Sequence, residues 1–164
     1  MSRKQKGFSL TELVVAIVVL AIIGLFAAPK IMHMQREARI NTLEAFVGAF
    51  HATNEVVMTK AKIQGVANAP LAKLSDHDIY VRTGSLALDD FNVANAMEID
   101  GFNLANTGST QTPSLIVYLG KEKSLLQIRD SECFISISRP FTAYDEEGIV
   151  SMDELKVNKF YDNC

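Results

Sequence analysis

Hydrophobic and polar positions divide the chain into stretches with different periods. From Leu13 to Ala28 no charged residue occurs, and apolar side chains follow one another broken only by Gly24. Counted from Phe8 this run is 21 residues. As a helix it is about 32 Å long, enough to cross a hydrocarbon core of about 30 Å. From Lys30 to about Lys62 the pattern changes. Ala38, Leu43, Phe46, Val47, Phe50, Val57, Met58 and Ala61 recur at roughly three- and four-residue spacing. That period predicts an amphipathic helix over about 30–63 with one face for a sheet. Arg36, Glu37, Arg39, Glu44, Glu55 and Lys60 fall mostly off the stripe. Gly65 and Pro70 close the helix.

Residues 66–114 carry weaker patterns. Ile79 to Thr83 reads as a short strand, Asp90 to Met97 as a helical turn or short helix, and Asn106 to Thr110 as loop. Three strands are then expected over about 115–138. Leu115 to Leu119 is wholly apolar, Ser124 to Arg129 is the second, and Cys133 to Ser138 alternates, with Cys133, Ile135 and Ile137 on one face. The segments 120–123 and 130–132 serve as turns. Short turns predict an antiparallel meander, and the helix stripe supplies cover for its apolar face.

What precedes the apolar run decides its purpose. Arg3, Lys4 and Lys6 stand before it with no acid among them, which keeps that end cytoplasmic and sends the remainder across. An ordinary secretory signal needs small residues before its cut. A cut after Ala28 puts Phe26 at the third position back and Pro29 just beyond; a cut after Ala27 puts Leu25 there. Both are poor sites. A plain anchor leaves Glu12 unexplained, since a carboxylate at a helix centre costs about 2.5–3.5 kcal/mol, less near an edge.

Gly7-Phe8-Ser9-Leu10-Thr11-Glu12, after a short basic leader and before a long apolar run, resembles the processing site of type IV prepilins. The resemblance implies that residues 1–7 are a leader removed after Gly7 by an inner-membrane prepilin peptidase. Phe8 then becomes the N-methylated first residue. Glu12 stands where the family carries its glutamate, and Pro29 where a proline is common. In a filament Glu12 of one subunit pairs with the new ammonium on Phe8 of its neighbour, each group being costly alone in an apolar bundle. Gly24 and Pro29 are the expected kink, because both weaken a helix. The fold implied is α+β, a pilin fold. Residues 8–29 form the transmembrane and filament-core half of a long helix, protruding from a globular domain over 30–164 in which the helix packs on a C-terminal antiparallel sheet. Ala28 to Lys30, Ala38 to Leu43 and Lys60 to Val66 are similar to the mannose-sensitive haemagglutinin pilin group.

Composition changes the picture in two places. The net charge is −3 with no basic block beyond the leader, which gives no support to a nucleic-acid partner or a DNA-uptake role. The two cysteines, Cys133 and Cys164, allow one intramolecular pairing: a disulfide where the compartment oxidises, free thiols in the cytosol. With export implied by the prepilin resemblance, the disulfide is expected. It encloses a region, 133–164, similar to the family's disulfide-bounded C-terminus.

No phosphate loop, zinc spacing or nucleophile elbow occurs, so the chain is expected to be a substrate of processing enzymes, not an enzyme, and to carry no cofactor. His33 and His51 lack partners at metal-ligand spacing, and Met32, Met34 and Met58 read as packing residues. Asp145, Glu147, Gly148 and Glu154 fall at the third, fifth, sixth and twelfth positions of a calcium loop, but Ala143 stands at the first. A solvated acidic turn is the expected reading. The function implied is the major pilin of a type IV pilus, serving adhesion, biofilm formation or motility. Its partners are its own copies, the peptidase/N-methyltransferase, the inner-membrane assembly machinery, and a surface or host-glycan receptor. Its place is the inner membrane and then the extracellular pilus of a Gram-negative bacterium. The rivals are a minor pilin, a type II secretion pseudopilin, and, in another class, a monomeric membrane-anchored binding module.

Overall fold

The computed structural model describes residues 9–75, 78–108, 112–144, 150–152 and 154–164. The chain divides into two compact units, Met1–Ala38 and Arg39–Cys164. One helix, α1 (Leu10–Ile63), contributes to both. It passes Gly24 and Pro29 without a break, although proline has no N–H to give to the preceding turn. It stops where Gly65 enters the left-handed region at φ 72°. There the Val66 N–H reaches the Ala61 carbonyl at 2.9 Å and the Gly65 N–H reaches that of Lys62 at 3.1 Å. This reciprocal pair satisfies the last carbonyls, and glycine takes the conformation without a Cβ penalty.

In the second unit three short strands come first: β1 (Ala72–Lys73), β2 (Tyr80–Arg82) and β3 (Ser85–Leu86), an antiparallel sheet in that order. Thr83 and Gly84 both have positive φ, the backbone that a two-residue hairpin loop demands. Next comes α2 (Asp90–Ala96), capped by Asp89, whose side chain accepts from the Asn92 N–H. The main sheet has the order β4 (Phe102–Gly108), β5 (Pro113–Leu119), β6 (Phe134–Ser138) and β9 (Lys156–Phe160), all antiparallel. Between β5 and β6 lies α3 (Leu125–Ser131); between β6 and β9 lies the hairpin of β7 (Phe141–Tyr144) and β8 (Val150–Met152).

Three sequence expectations are corrected here. The stretch 124–129 is helical, not a strand. Ser124 and Gln127 make both bonds of a capping box, which satisfies two orphan N–H groups and fixes the helix start. Only Ile128 of α3 is fully buried. The residues 106–108 belong to β4 rather than to a loop; their pairing with Leu115, Ser114 and Pro113 overrides a local composition of turn formers. The sheet extends beyond 115–138 at both ends, because β4 and β9 flank the expected pair of strands.

The core forms where the α1 stripe meets one face of this sheet. Leu43, Phe46, Val47, Phe50, Val57 and Ala61 are buried together with Leu115, Val117, Ile135 and Ile137. Register explains the match: Leu115 pairs with Ile137 and Val117 with Ile135, and alternate residues share a face. Each large side chain buried this way contributes about 1.5–3 kcal/mol. Of the predicted stripe, Ala38 is exposed and Met58 half-buried.

Polar contacts of Asn54 and Glu44 tie α1 to distant chain. The buried Asn54 accepts from Ser85 Oγ at 2.8 Å and from the Leu86 N–H at 2.9 Å. Nearer the start of the unit, Lys159 Nζ donates to both Glu44 oxygens at 2.8 and 2.7 Å, and the Tyr161 hydroxyl donates to Glu44 Oε1 at 3.1 Å. The Lys159 bond holds the Glu44 carboxyl below its usual 4.5. Burial, with the bond to Glu44, pushes the Tyr161 hydroxyl up to about 12.

Asn54→Ala strands two buried groups, a cost of about 1–3 kcal/mol in denaturant unfolding. Stability is also expected to vary with pH in two windows. The Glu44 contribution is present above 4.5 and is lost as pH falls through its lower folded value. The Tyr161 contribution is present below 10.0 and is lost as pH rises through about 12. Melting curves should show Glu44→Gln flattening the acid limb and Tyr161→Phe flattening the alkaline one.

Candidate functional site

In the first unit, every described side chain from Leu10 to Ala27 is exposed. Leu10 and Phe26 are each 78% exposed, and the aliphatic residues between them lie open on all sides of the helix. This stretch is long and apolar enough to cross a membrane. A helix apolar on all sides is stable only when lipid or other helices surround it.

The one carboxylate of this surface sits in the first turn of α1. The Ser9 carbonyl accepts the first helical bond, from the Leu13 N–H at 3.1 Å. Ser9 Oγ accepts from the Thr11 N–H at 3.2 Å and also bonds the Thr11 hydroxyl. Glu12 Oε2 in turn accepts from the Ser9 N–H at 2.9 Å. Ser9 thus caps the helix and Glu12 supplies the returning arm of a capping box. A negative charge here also meets the positive end of the helix dipole, a gain of about 0.3–1 kcal/mol. The signal was in the sequence as Ser-x-x-Glu before an apolar run, and the processing-site reading passed over it. Beside the carboxylate, Thr11, Glu12, Val15 and Ala16 line a shallow groove of about 350 Å³. Gly7 and Phe8 lie outside the described residues. The backbone at Gly24 has open space around it.

The second unit carries the cysteine pair. Cys133 and Cys164 form a disulfide with Cα atoms 4.7 Å apart, closing a separation of 31 residues. The bridge sits just outside the register in which Phe134 faces Phe160, at the end where β6 begins and β9 finishes. The same corner is held by Asn163, whose Nδ2 donates to Glu132 Oε2 at 2.8 Å, and by Arg39 of α1, which donates to the Cys164 main-chain oxygen at 3.4 Å. Of the calcium-loop candidates, Asp145, Glu147 and Gly148 lie outside the described residues, and Glu154 is exposed. Among the described residues no group of three or more His, Cys, Asp or Glu side chains is placed to hold a metal. His33 Nδ1 lies 3.4 Å from a Glu37 carboxylate oxygen one turn along α1.

Residues 2–28 match the family model described as the prokaryotic N-terminal methylation motif. Searches of curated proteins and of solved structures give no match. The matched segment contains the basic leader, Gly7, Phe8 and Glu12, and it ends with the apolar run. With the long helix and antiparallel sheets that follow, the architecture is pilin-like.

Loss of the disulfide by Cys164→Ser is expected to lower unfolding free energy by about 3.5–4 kcal/mol in the chain-entropy model. Reductant should destabilise the wild-type chain to the same extent and leave the variant unchanged. Both are read from denaturant midpoints.

Proposed function

We propose that this chain is the structural subunit, the major pilin, of a type IV pilus. The observation that carries the reading is one continuous segment. A methylation motif over residues 2–28 leads directly into a helix whose apolar surface is exposed on every side, with Glu12 in its first turn. A prepilin peptidase cuts after Gly7, and the Phe8 amine released there is methylated. The leader stays cytoplasmic because of Arg3, Lys4 and Lys6, and the unit from Arg39 onward is exported. The chain waits in the inner membrane of a Gram-negative bacterium and then enters an extracellular fibre.

Glu12 gives assembly its register. Its carboxylate bonds the Ser9 N–H, one residue from Phe8. Cleavage creates an ammonium on the residue that precedes Ser9 in sequence. When a neighbour's helix docks along the groove beside Val15 and Ala16, that neighbour's ammonium competes for the same carboxylate. An offset of one residue leaves both charges unpaired in an apolar medium, which costs several kcal/mol per ion. Gly24 and Pro29 weaken consecutive turns and form the place where packed helices bend. The similarity of 28–30, 38–43 and 60–66 to the mannose-sensitive haemagglutinin pilins favours surface attachment and biofilm formation as the use of the fibre.

Shearing the cell surface and sequencing the released protein tests the reading. Abundant fibre protein beginning at methylated Phe8 is the expected result. Fibres in which this chain is scarce point to a minor pilin. Processed chain that never leaves the envelope points to a pseudopilin, and unprocessed monomer to a membrane-anchored binding module. Glu12→Ala is expected to leave cleavage after Gly7 intact and to cut surface fibre at least tenfold by immunoblot of the sheared fraction, about 1.4 kcal/mol or more of assembly energy; normal fibre yield from this variant sinks the register role.

A further inference from the structure

We propose that a basic depression at the disulfide corner of the second unit binds a phosphate group, free or esterified. The cavity measures about 390 Å³, inside the usual range of ligand sites, roughly 300–1,000 Å³. Arg39 of α1 stands on its wall, with Lys121 and Lys123 from the turn between β5 and α3. Among the described residues that line it none is acidic. Leu119, Cys133 and the lysine stems supply the apolar part of the wall. The cations come from elements far apart in sequence, so only the fold collects them. Arg39 opens the second unit, which places the cavity where α1 enters that unit.

The turn that carries the lysines is fixed from both sides. Gly120 adopts φ 99°, a conformation that a Cβ would strain. Asn103 Nδ2 donates to the Gly120 carbonyl at 2.7 Å, and the Lys123 N–H donates to the Tyr118 hydroxyl at 3.2 Å. Neither lysine ammonium makes an ion pair or a side-chain hydrogen bond among the described residues. Arg39 donates to the Cys164 main-chain oxygen at 3.4 Å and keeps further N–H groups for a ligand. The nearby Glu132 carboxylate is engaged by Asn163 Nδ2 at 2.8 Å. Three like charges around one cavity repel one another. A multiply charged oxyanion relieves that repulsion, and a carboxylate with its single charge relieves less of it. The cavity is larger than a phosphate ion, so an ester's glycerol-sized substituent has room against Leu119. No aromatic ring lines it among the described residues, which leaves a nucleic-acid base nothing to stack on. All three cations are exposed, so the affinity is modest.

Two sources offer this chemistry: soluble phosphates and the headgroups of an anionic phospholipid, the second resting on the membrane reading proposed above. The test uses the full chain in nonionic detergent micelles at low salt. It is titrated with inorganic phosphate and glycerol 3-phosphate, and with acetate and chloride as comparators at equal ionic strength. Amide NMR shifts from Gly120 to Lys123 are expected to report a Kd on the order of 1 mM for the phosphates. Lys121→Gln combined with Lys123→Gln should weaken binding about fivefold or more with Tm unchanged. Lys62→Gln, in the last turn of α1, should bind as wild type. A second arm places the chain in phosphatidylcholine nanodiscs with and without phosphatidylglycerol. Shifts of the same amides that need phosphatidylglycerol name the headgroup as the source, and shifts with the soluble phosphates alone name those. The proposal is overturned if neither arm moves these amides, if acetate or chloride binds as tightly, if the double variant keeps wild-type affinity, or if Lys62→Gln loses binding equally. N-terminal sequencing of sheared fibre reads assembly separately, so a chain that builds no fibre still answers the phosphate titration.

Discussion

The apolar surface between Leu10 and Ala27 is the constraint on which the chain's behaviour turns. Water cannot be its surroundings, because each exposed large side chain there forgoes about 1.5–3 kcal/mol of burial. Lipid meets the need first. Lipid tails, however, are as apolar as Leu and Val, so moving this helix from a bilayer into a bundle of copies gains nothing from hydrophobicity alone. Close packing and polar pairing have to supply the difference. That is why the proposed assembly role falls on a single carboxylate, placed in the first turn and bonded to the Ser9 N–H.

Beyond Ala38 the same helix meets a different demand. Its stripe from Leu43 to Ala61 is buried on a sheet that starts only at Phe102. Apolar packing alone tolerates sliding along a helix. Asn54 blocks sliding by accepting two bonds from the β3 hairpin, and Glu44 does so again by binding Lys159 and Tyr161 beyond β6. Glu44 and Lys159 are both partly exposed, so their pair contributes more to position than to stability. The disulfide acts at the same corner, and Arg39 joins it to α1. The small sheet and the last strand of the main sheet are therefore both referred to one helix.

Local rules made much of this readable. The basic leader, the uncharged run and the processing motif identify the first segment without coordinates, since a membrane acts on length and polarity rather than on tertiary neighbours. The stripe at 43, 46, 47, 50, 57 and 61, the strand at 115–119 and the alternation at 134–138 follow from period alone, and the Cys133–Cys164 pairing follows once export is argued. Where a short segment had two readings, the tertiary structure decided. Leu125 to Arg129 is a helix because its capping box closes and Ile128 finds a pocket under it. Thr107 and Gly108 are strand because β5 offers them partners. Asn54, Ser85 and Asn92 look like surface residues in the sequence; only folding brings a hydrogen-bond partner to each and makes its burial tolerable.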